Sequence, residues 1–391
     1  MSERPWASRE AVLPPTLRPR PLEVACGLAL GVDDREPRLA MKGAGPPRRA
    51  IEQTIQGALA RPPCLVSFSG GRDSSAVLAT AAAVARRDGL PLPIPTTYRF
   101  DGAAGSQESD WQEQVIRHVG LPDWERLPMT SELDAVGPVA QAVLSRHGLL
   151  WPFNAHFHAP LLERASGGSL LTGIGGDEIF ARQLWSSARA LLTGHRRDRP
   201  VHLRSVGLAL APSPVRSWAV ARRRQLPLPW LCPGAEHDVN RRLADLRART
   251  PLPWSGGLAL WWRSRSRTVL AASMDVLASG AGTQIVHPFL DERVVAAVGA
   301  HFGAAGPADR SSALGALFGD VLPQAVLSRR SKAFFDEAFI ADHTRRFVSG
   351  WTGTGVDPTL VDLERLGEQW RSDHPDPRSL LLMQAAWLAS R

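Results

Sequence analysis

The sequence predicts an α/β fold, a parallel sheet with helices on both faces, followed by a mainly helical C-terminal part. Short apolar runs at residues 64–68, 95–100 and 169–172 indicate strands, and the first and last of them end at glycines. Stretches with the apolar spacing of helices lie between these runs. Strands that alternate with helices favour a parallel sheet that is covered on both faces.

The predicted elements follow one another from residue 50 onward. They are helices at 50–60, 74–87, 110–119 and about 156–165, and strands at 64–68, 95–100 and 169–172. Gly120 and Pro122 are expected to end the third helix, since neither residue continues a helix readily. From Leu258 onward the pattern is mainly helical.

The chain is predicted to form one main domain over residues 51–391. Residues 1–50 are rich in proline and arginine, and we expect them to form an extended N-terminal arm. At about 183–257 tryptophan alternates with arginine and proline, which indicates a variable insertion. Its tryptophans either pack in and around the core or hold a peptide by stacking and cation–π contacts. Packing is the favoured interpretation.

The composition is that of an ordinary globular protein, with 44% hydrophobic and 21% charged residues among 391. No apolar run reaches the roughly 18 residues of a membrane span, and no basic region precedes an apolar core at the N-terminus. Cys26, Cys64 and Cys232 lie far apart, without the spacing of metal ligands. We therefore expect reduced thiols, a cytoplasmic location and no membrane partner.

The formal net charge is +8, and almost all of the basic residues are arginines. They are dispersed and accompany no recognition motif, so we do not expect a nucleic-acid partner. Lys42 and Lys332 are the only lysines in the chain. Where arginine fills nearly every basic position, a retained lysine indicates a need for a compact ammonium group, with chance retention as the alternative.

The strongest functional signal, called the first motif here, covers residues 69–75, between a predicted strand and a predicted helix. Glycines let successive amides turn toward one anion, and the helix N-terminus adds positive charge. An acid in this position suits a magnesium ligand, whereas a plain glycine turn would explain neither the acid nor the serines. The predicted phosphate-binding residues are Ser69, Gly70, Gly71, Asp73, Ser74 and Ser75.

A second motif, residues 172–180, follows the strand at 169–172. Carboxyl ends of parallel strands meet at the edge where such sheets bind ligands. Asp177 is therefore expected near Asp73, where the two carboxylates would share one magnesium ion on a triphosphate. Gly175 and Gly176 are expected to contact the phosphates, and Glu178 is a candidate catalytic carboxylate.

With these motifs the sequence resembles the synthetase domain of the asparagine synthetase family of PP-loop ATP pyrophosphatases, which includes beta-lactam synthetases and lasso peptide cyclases. Two further segments match in the family's order, Pro-Phe-Leu-Asp at 288–291 and Leu-Pro at 322–323, the latter followed by a basic stretch ending at Lys332. The resemblance covers about residues 50–391.

The resemblance implies a PP-loop sheet of the adenine nucleotide alpha hydrolase type, with ATP and Mg²⁺ as cofactors. It places the magnesium ion on Asp73 and Asp177. It also implies that Lys332 contacts the reacting phosphate, where its charge would stabilise the attack of a carboxylate on the α-phosphorus.

Three departures from the family pattern argue against asparagine synthesis proper. Glutamine-using members begin with Met-Cys, whereas Ser2 stands here and about 60 residues precede the first core strand, so we expect no glutaminase domain. Ile174 replaces a glutamate, and Val286 stands where the family often has an arginine. Isoleucine neither accepts a proton nor binds an ammonium-like nucleophile.

The proton acceptor is left open by the sequence. Tyr98 is the only tyrosine and lies in a predicted strand, which argues against a tyrosine–glutamate pair of the beta-lactam synthetase type. His287 and Glu178 are the candidates, each with a purely structural role as the alternative.

We therefore expect an ATP-dependent ligase that adenylates a small-molecule or peptide carboxylate, releases pyrophosphate and transfers the acyl group to an amine. A peptide macrolactam or another specialised product is favoured, and a partner protein would deliver such a peptide. The alternatives are amidation of a small acid with ammonia, a non-catalytic nucleotide-binding relative, and a tRNA-modifying PP-loop enzyme. The last of these does not explain the segments at 288–291 and 322–332.

Overall fold

The computed structural model describes residues 12–100, 109–181, 185, 203–223, 226–329 and 339–391. Within them one sheet contains β1 Cys64–Ser67, β2 Ile94–Phe100, β3 Glu125–Met129, β4 Ser169–Leu171 and β5 Gln284–Val286. The strand order is β3-β2-β1-β4-β5, and every neighbouring pair is parallel. The predicted α/β fold with a parallel sheet is confirmed.

Helices make up most of the remaining described chain, including more than half of it after Leu258. They are α1 Pro21–Cys26, α2 Pro47–Leu59, α3 Arg72–Asp88, α4 Ser109–Val119, α5 Pro138–His147, α6 Ala159–Arg164, α7 Gly176–Ile179, α8 Leu203–Leu210, α9 Ser213–Arg223, α10 Pro233–Arg249, α11 Trp254–Trp262, α12 Arg265–Ala281, α13 Glu292–Phe302, α14 Arg310–Phe318, α15 Gln324–Leu327, α16 Asp342–Gly350, α17 Leu363–Arg371 and α18 Leu380–Ala389. None of these helices is both long enough and apolar enough to cross a membrane.

The two edge strands were not predicted from the sequence. Strand β5 has only three residues, and β3 contains Pro128 and alternates half-buried with exposed positions. Neither strand produces an apolar run, because an edge strand needs less apolar surface than a central one. The helix predicted at about 156–165 is divided into a 3-10 segment, Phe153–His158, and α6.

Side chains of the central strands alternate between two apolar cores, as the period of two in a strand requires. Leu65, Leu170 and Ile285 pair in register across β1, β4 and β5 and pack with α5, α6 and α12 on one face. Val66 and Leu171 pack on the opposite face with α2, α3 and α13. Helices therefore cover both faces of the sheet, which explains why β1 and β4 are continuous apolar runs.

Residues 12–46 are mostly irregular, but they are packed against the rest of the protein. Cys26 and Leu30 are buried, and the indole Nε1 of the buried Trp230 donates a hydrogen bond of 2.8 Å to the Ala25 carbonyl. The described part of the predicted arm is thus part of the folded body rather than a projecting extension. The boundaries of the main domain and of the insertion stay predictions.

Within the predicted insertion the tryptophans differ in environment. Trp185 and Trp230 are buried, and the Trp185 indole donates to the Thr250 carbonyl. Trp218 is 60% exposed, with the Arg222 guanidinium 4.6 Å from its ring centroid. Core packing therefore accounts for the first two tryptophans.

A buried ion pair fastens the N-terminal segment to α12. Arg265 and Glu23 are 6% and 3% exposed, with 2.7 Å between Arg265 Nε and Glu23 Oε1. The backbone amides of Arg20 and Leu30 donate to the same carboxylate, and the Thr16 carbonyl accepts from the Arg265 guanidinium. The charges are therefore paired and their remaining hydrogen-bonding groups are largely satisfied.

We expect Glu23→Ala to destabilise the protein by about 3–5 kcal/mol, because Arg265 would be left buried without its counter-charge. Urea unfolding followed by circular dichroism measures the change. Glu125→Ala is the matched control, since it breaks the exposed pair with Arg164 and should cost far less. Equal losses in the two variants would contradict the assignment.

Candidate functional site

The direction in which strands are added reverses between β1 and β4. From β1 the chain moves outward through β2 to β3, then returns to the other side of β1 to form β4 and β5. At such a switch point the loops at the carboxyl ends of the two central strands diverge and leave a crevice for a ligand. The first and second motifs are the segments that follow β1 and β4 at this point.

The first motif bends sharply and starts α3. Gly70 has φ +83°, a conformation that glycine adopts without strain. The Ser69 and Ser74 hydroxyl oxygens lie 3.2 Å apart, the Ser69 amide donates to Ser74 Oγ, and the Gly71 amide donates to Ser69 Oγ. Since the first amides of a helix lack intrahelical acceptors, this turn presents hydrogen-bond donors at the positive end of α3. Ser75 lies behind the turn and is fully buried.

Glycines allow the second motif to lie directly against the first. A Cβ on Gly173 would be 2.8 Å from the Ser74 nitrogen, and a Cβ on Gly176 would be 2.4 Å from Asp73 Cγ. Gly175 has φ +96°, and a Cβ there would be 2.8 Å from the Phe289 carbonyl oxygen. A side chain at Gly173 or Gly176 would push the two motifs apart, and one at Gly175 would clash with the Pro-Phe-Leu-Asp segment.

The Pro-Phe-Leu-Asp segment supports the second motif from the protein interior. Phe289 is fully buried and makes edge-to-face contacts with Phe180 and Phe318, at 5.5 and 6.1 Å between ring centroids. The Asp291 carboxylate caps α13 and accepts a hydrogen bond of 2.8 Å from Thr54 Oγ1. This segment therefore positions the second motif, and its aspartate is used in packing the helices.

The two aspartates predicted to bind a metal ion do meet, and Arg310 joins them. One guanidinium nitrogen, Nη2, contacts Asp73 Oδ2, and the other, Nη1, contacts Asp177 Oδ1. Arg310 is the first residue of α14, and Asp309 caps that helix. One side chain from a distant helix thus connects the motifs that follow β1 and β4.

The Asp73–Asp177 pair fits a divalent cation. Asp73 is 16% and Asp177 55% exposed, and Asp73 Oδ1 is buried without a hydrogen-bond partner in the described part of the chain. Burial raises the pKa of the Asp73 carboxyl, with Arg310 opposing this effect and Asp177 adding to it. Asp73 Oδ1 is therefore a buried acceptor beside a second carboxylate, and both carboxylates already contact the positive charge of Arg310. Such an arrangement is suited to a hard cation.

The other predicted catalytic residues are placed differently. Glu178 is next to Asp177 in α7 and is exposed to solvent. Nearby protein atoms nevertheless remove enough water to raise the pKa of its carboxyl, and the charges of Asp177 and Asp73 act in the same direction. Lys332 lies outside the described residues.

Arginines surround the first motif. The Arg329 guanidinium donates to the Gly70 carbonyl at 3.0 Å and lies 5.0 Å from the Trp111 ring. Arg72 donates to Ser311 Oγ at 3.3 Å, and its pKa is lowered by burial and then by the charge of Arg310. The motif is therefore set in a strongly positive environment, as a polyphosphate site requires.

Arg310 was not predicted from the sequence, because it belongs to no glycine-rich loop and stands among many other arginines. Its only local signal is its place after Asp309, a helix-capping residue. Gln112 was not predicted either, because it too lies outside the glycine-rich loops. Its side-chain amide donates to the Ser69 carbonyl at 3.0 Å and holds the turn from α4.

The candidate proton acceptors also differ in environment. His287 Nδ1 lies 2.6 Å from Thr172 Oγ1, and burial lowers the pKa of His287 to about 3. A base with this pKa holds a proton weakly near neutrality, which argues against His287 as the general base. The Tyr98 hydroxyl donates to the Phe157 carbonyl, and burial raises its pKa. Of these three residues, Glu178 is the best candidate for the proton acceptor.

We expect Gly176→Ala to displace the Asp73 carboxylate, because the new methyl group would overlap it. The loss of stability should be about 1–3 kcal/mol, with a loss of divalent-cation binding measured by Mn²⁺ titration. Gly57→Ala is the matched control, since a Cβ on this exposed glycine in α2 meets nothing within 4 Å. It should stabilise α2 slightly. Normal Mn²⁺ binding by Gly176→Ala would refute the proposed contact.

Comparison with known proteins indicates the family of this chain. A family model described as asparagine synthase matches residues 48–389, and the match contains both motifs and Arg310. No curated protein matches the chain. Membership in such a family implies a ligase that forms C–N bonds with the use of ATP. Since the match spans most of the 391 residues, this chain belongs to the asparagine synthase family.

Proposed function

We propose that this protein joins a carboxylate to an amine by way of an acyl-adenylate, with release of pyrophosphate and then AMP. The observation that carries the proposal is the Asp73–Arg310–Asp177 bridge beside the donor-lined turn of the first motif. A pair of carboxylates next to an anion-binding turn suits a polyphosphate that carries a metal ion. The cation offsets the repulsion between the negatively charged carboxylates and phosphates.

The first motif would hold the pyrophosphate part of ATP. Backbone amides at the start of α3 and the Ser69 and Ser74 hydroxyls would supply donors, and Arg72 and Arg329 would supply positive charge around them. Asp73 and Asp177 would hold Mg²⁺. Magnesium bound there would neutralise phosphate oxygens and withdraw electrons from phosphorus.

The reaction then has two balanced steps. In the first, a substrate carboxylate oxygen attacks the α-phosphorus of ATP, and the bond from that phosphorus to the bridging oxygen of pyrophosphate breaks. In the second, an amine attacks the acyl carbon, loses a proton and expels AMP. Lys332 is proposed to stabilise the first step, and Glu178 to accept the proton in the second.

The surroundings of the second motif support a product other than asparagine. Ile174 is partly buried and packs with the apolar core that includes Leu65 and Leu170. An aliphatic side chain in this position offers no carboxylate for ammonia. We therefore propose an organic amine as nucleophile, with a peptide macrolactam as the favoured product class and amidation of a small acid as the competing one.

Exchange of labelled pyrophosphate into ATP should depend on the presence of the correct acid and should fall at least about 100-fold in Asp73→Asn. The exchange assay, run over aspartate, other small acids and linear peptides, measures this. Asp88→Asn, at the far end of the same helix, should retain wild-type exchange.

The result also separates the candidate functions. Exchange with aspartate alone, followed by product with ammonia, would favour the small-acid alternative. Exchange that is equal in wild type and Asp73→Asn, or absent with every acid, would refute the proposed chemistry and favour a nucleotide-binding relative without turnover.

Arg310 and a divalent cation compete for the same two carboxylates. We therefore expect Arg310→Ala to bind Mn²⁺ more tightly than wild type in the absence of ATP, as measured by electron paramagnetic resonance. The same variant should lose about 10–100-fold in pyrophosphate exchange, since a cation near the phosphates is removed. Arg310→Lys should recover part of the exchange. Unchanged Mn²⁺ affinity in Arg310→Ala would show that the bridge does not occupy the metal position.

A further inference from the structure

A cavity of about 640 Å³ lies between the N-terminal segment, the loop at residues 31–35 and the last turns of α10. This volume is in the range of ligand-binding pockets. No residue of the first or second motif lines it. Its lining carries two aspartates, Asp33 and Asp245, and six arginines, Arg20, Arg35, Arg241, Arg242, Arg249 and Arg265.

Nearby carboxylates neutralise only part of the positive charge. Arg265 is paired with Glu23, and Arg241 and Arg242 share the single carboxylate of Asp238. When Glu23 and Asp238 are counted with the two lining aspartates, four carboxylates face six arginines. The cavity therefore keeps an excess of two positive charges.

Three of these arginines have no carboxylate partner within the described part of the chain, namely Arg20, Arg35 and Arg249. All three side chains are exposed. Their guanidinium groups are free to turn toward a ligand, and each offers five N–H donors. Within the described part of the chain, an anion would bind these three arginines without breaking an ion pair, whereas Arg241 already shares Asp238 with Arg242.

The positive charge is spread out rather than focused on one point. Arg241 and Arg249 are eight residues apart on α10, which separates their Cα atoms by about 12 Å along the helix axis. A single phosphate does not span this distance, whereas three to four residues of extended peptide do. The spacing favours a ligand with several separated negative charges.

The two lining aspartates favour a peptide over a chain of phosphates. Asp33 Oδ1 accepts the Arg35 amide at 3.0 Å, and Asp245 Oδ1 accepts the Ser217 hydroxyl. Each carboxylate keeps a second oxygen as an acceptor. Peptide amides would donate to these oxygens, whereas the phosphodiester groups of a nucleic acid have no donor and would be repelled by them.

We propose that this cavity is a second binding site, separate from the ATP site, for a peptide segment that carries at least two carboxylate side chains. Arg241 and Arg249 bind the separated carboxylates, and Asp33 and Asp245 accept hydrogen bonds from the peptide backbone. In a reaction on a peptide this site would hold acidic residues away from the reacting group. The binding itself needs no ATP and no turnover.

Fluorescence anisotropy with the full chain tests the proposal without ATP. The probe is a fluorescein-labelled pentapeptide of alternating glutamate and glycine, compared with its glutamine analogue and with an oligothymidylate of equal charge. The acidic peptide should bind at least about tenfold more tightly than either comparison ligand. Binding should weaken at least about tenfold in the double variant Arg241→Glu, Arg249→Glu.

Arg61→Glu is the matched control, because Arg61 is an exposed arginine that does not line the cavity, and it should bind like wild type. Asp73→Asn should also bind like wild type, which separates this proposal from the one for the ATP site. Thermal unfolding checks that each variant is folded. Equal binding of the glutamine peptide, tighter binding of the oligonucleotide, or unchanged binding in the folded double variant would each overturn the proposal.

Discussion

Two carboxylates held side by side are the constraint on which the rest of this protein depends. Asp73 and Asp177 come from segments about a hundred residues apart, and the contact of Gly173 and Gly176 with the first motif keeps them close. The negative charges of these two carboxylates repel one another, and the repulsion is stronger where water is partly excluded. A positive charge between them is therefore required, and Arg310 supplies it in this structure.

The scaffold resists that repulsion through strand pairing and apolar packing. Strands β1 and β4 are paired in register, so the starting points of both motifs are fixed by backbone hydrogen bonds. Phe289 and its aromatic neighbours fill the space behind the second motif. Since a close-packed core deforms little, the carboxylates have little freedom to separate, and a cation in the site is more favourable than movement of the loops.

The residues proposed to bind nucleotide and the residues proposed to bind a peptide lie on different parts of the chain. The first motif, Asp177 and Arg310 are held at the switch point of the sheet, where any member of this architecture binds a ligand. Ile174 is apolar and packs in the core, and His287 has a low pKa, so both residues limit the acid–base groups available beside the switch point. The arginine-lined cavity is formed by the N-terminal segment and α10, so the proposed peptide site can change without disturbing the turn of the first motif.

The sequence by itself determined the central strands, the helices that cover them, and the two motifs that follow β1 and β4. These features are local, because an apolar run, a glycine turn and a helix start are encoded by consecutive residues. Edge strands β3 and β5 were not predicted. Strand β5 has only three residues and β3 is interrupted by Pro128, so neither leaves a periodic apolar pattern in the sequence. Only the tertiary structure decided that Arg310 joins Asp73 to Asp177, that Glu23 pairs with Arg265, and that α10 faces the N-terminal segment. Each of these contacts joins residues far apart in the chain, and its energy depends on burial and distance, which no local pattern of residues specifies.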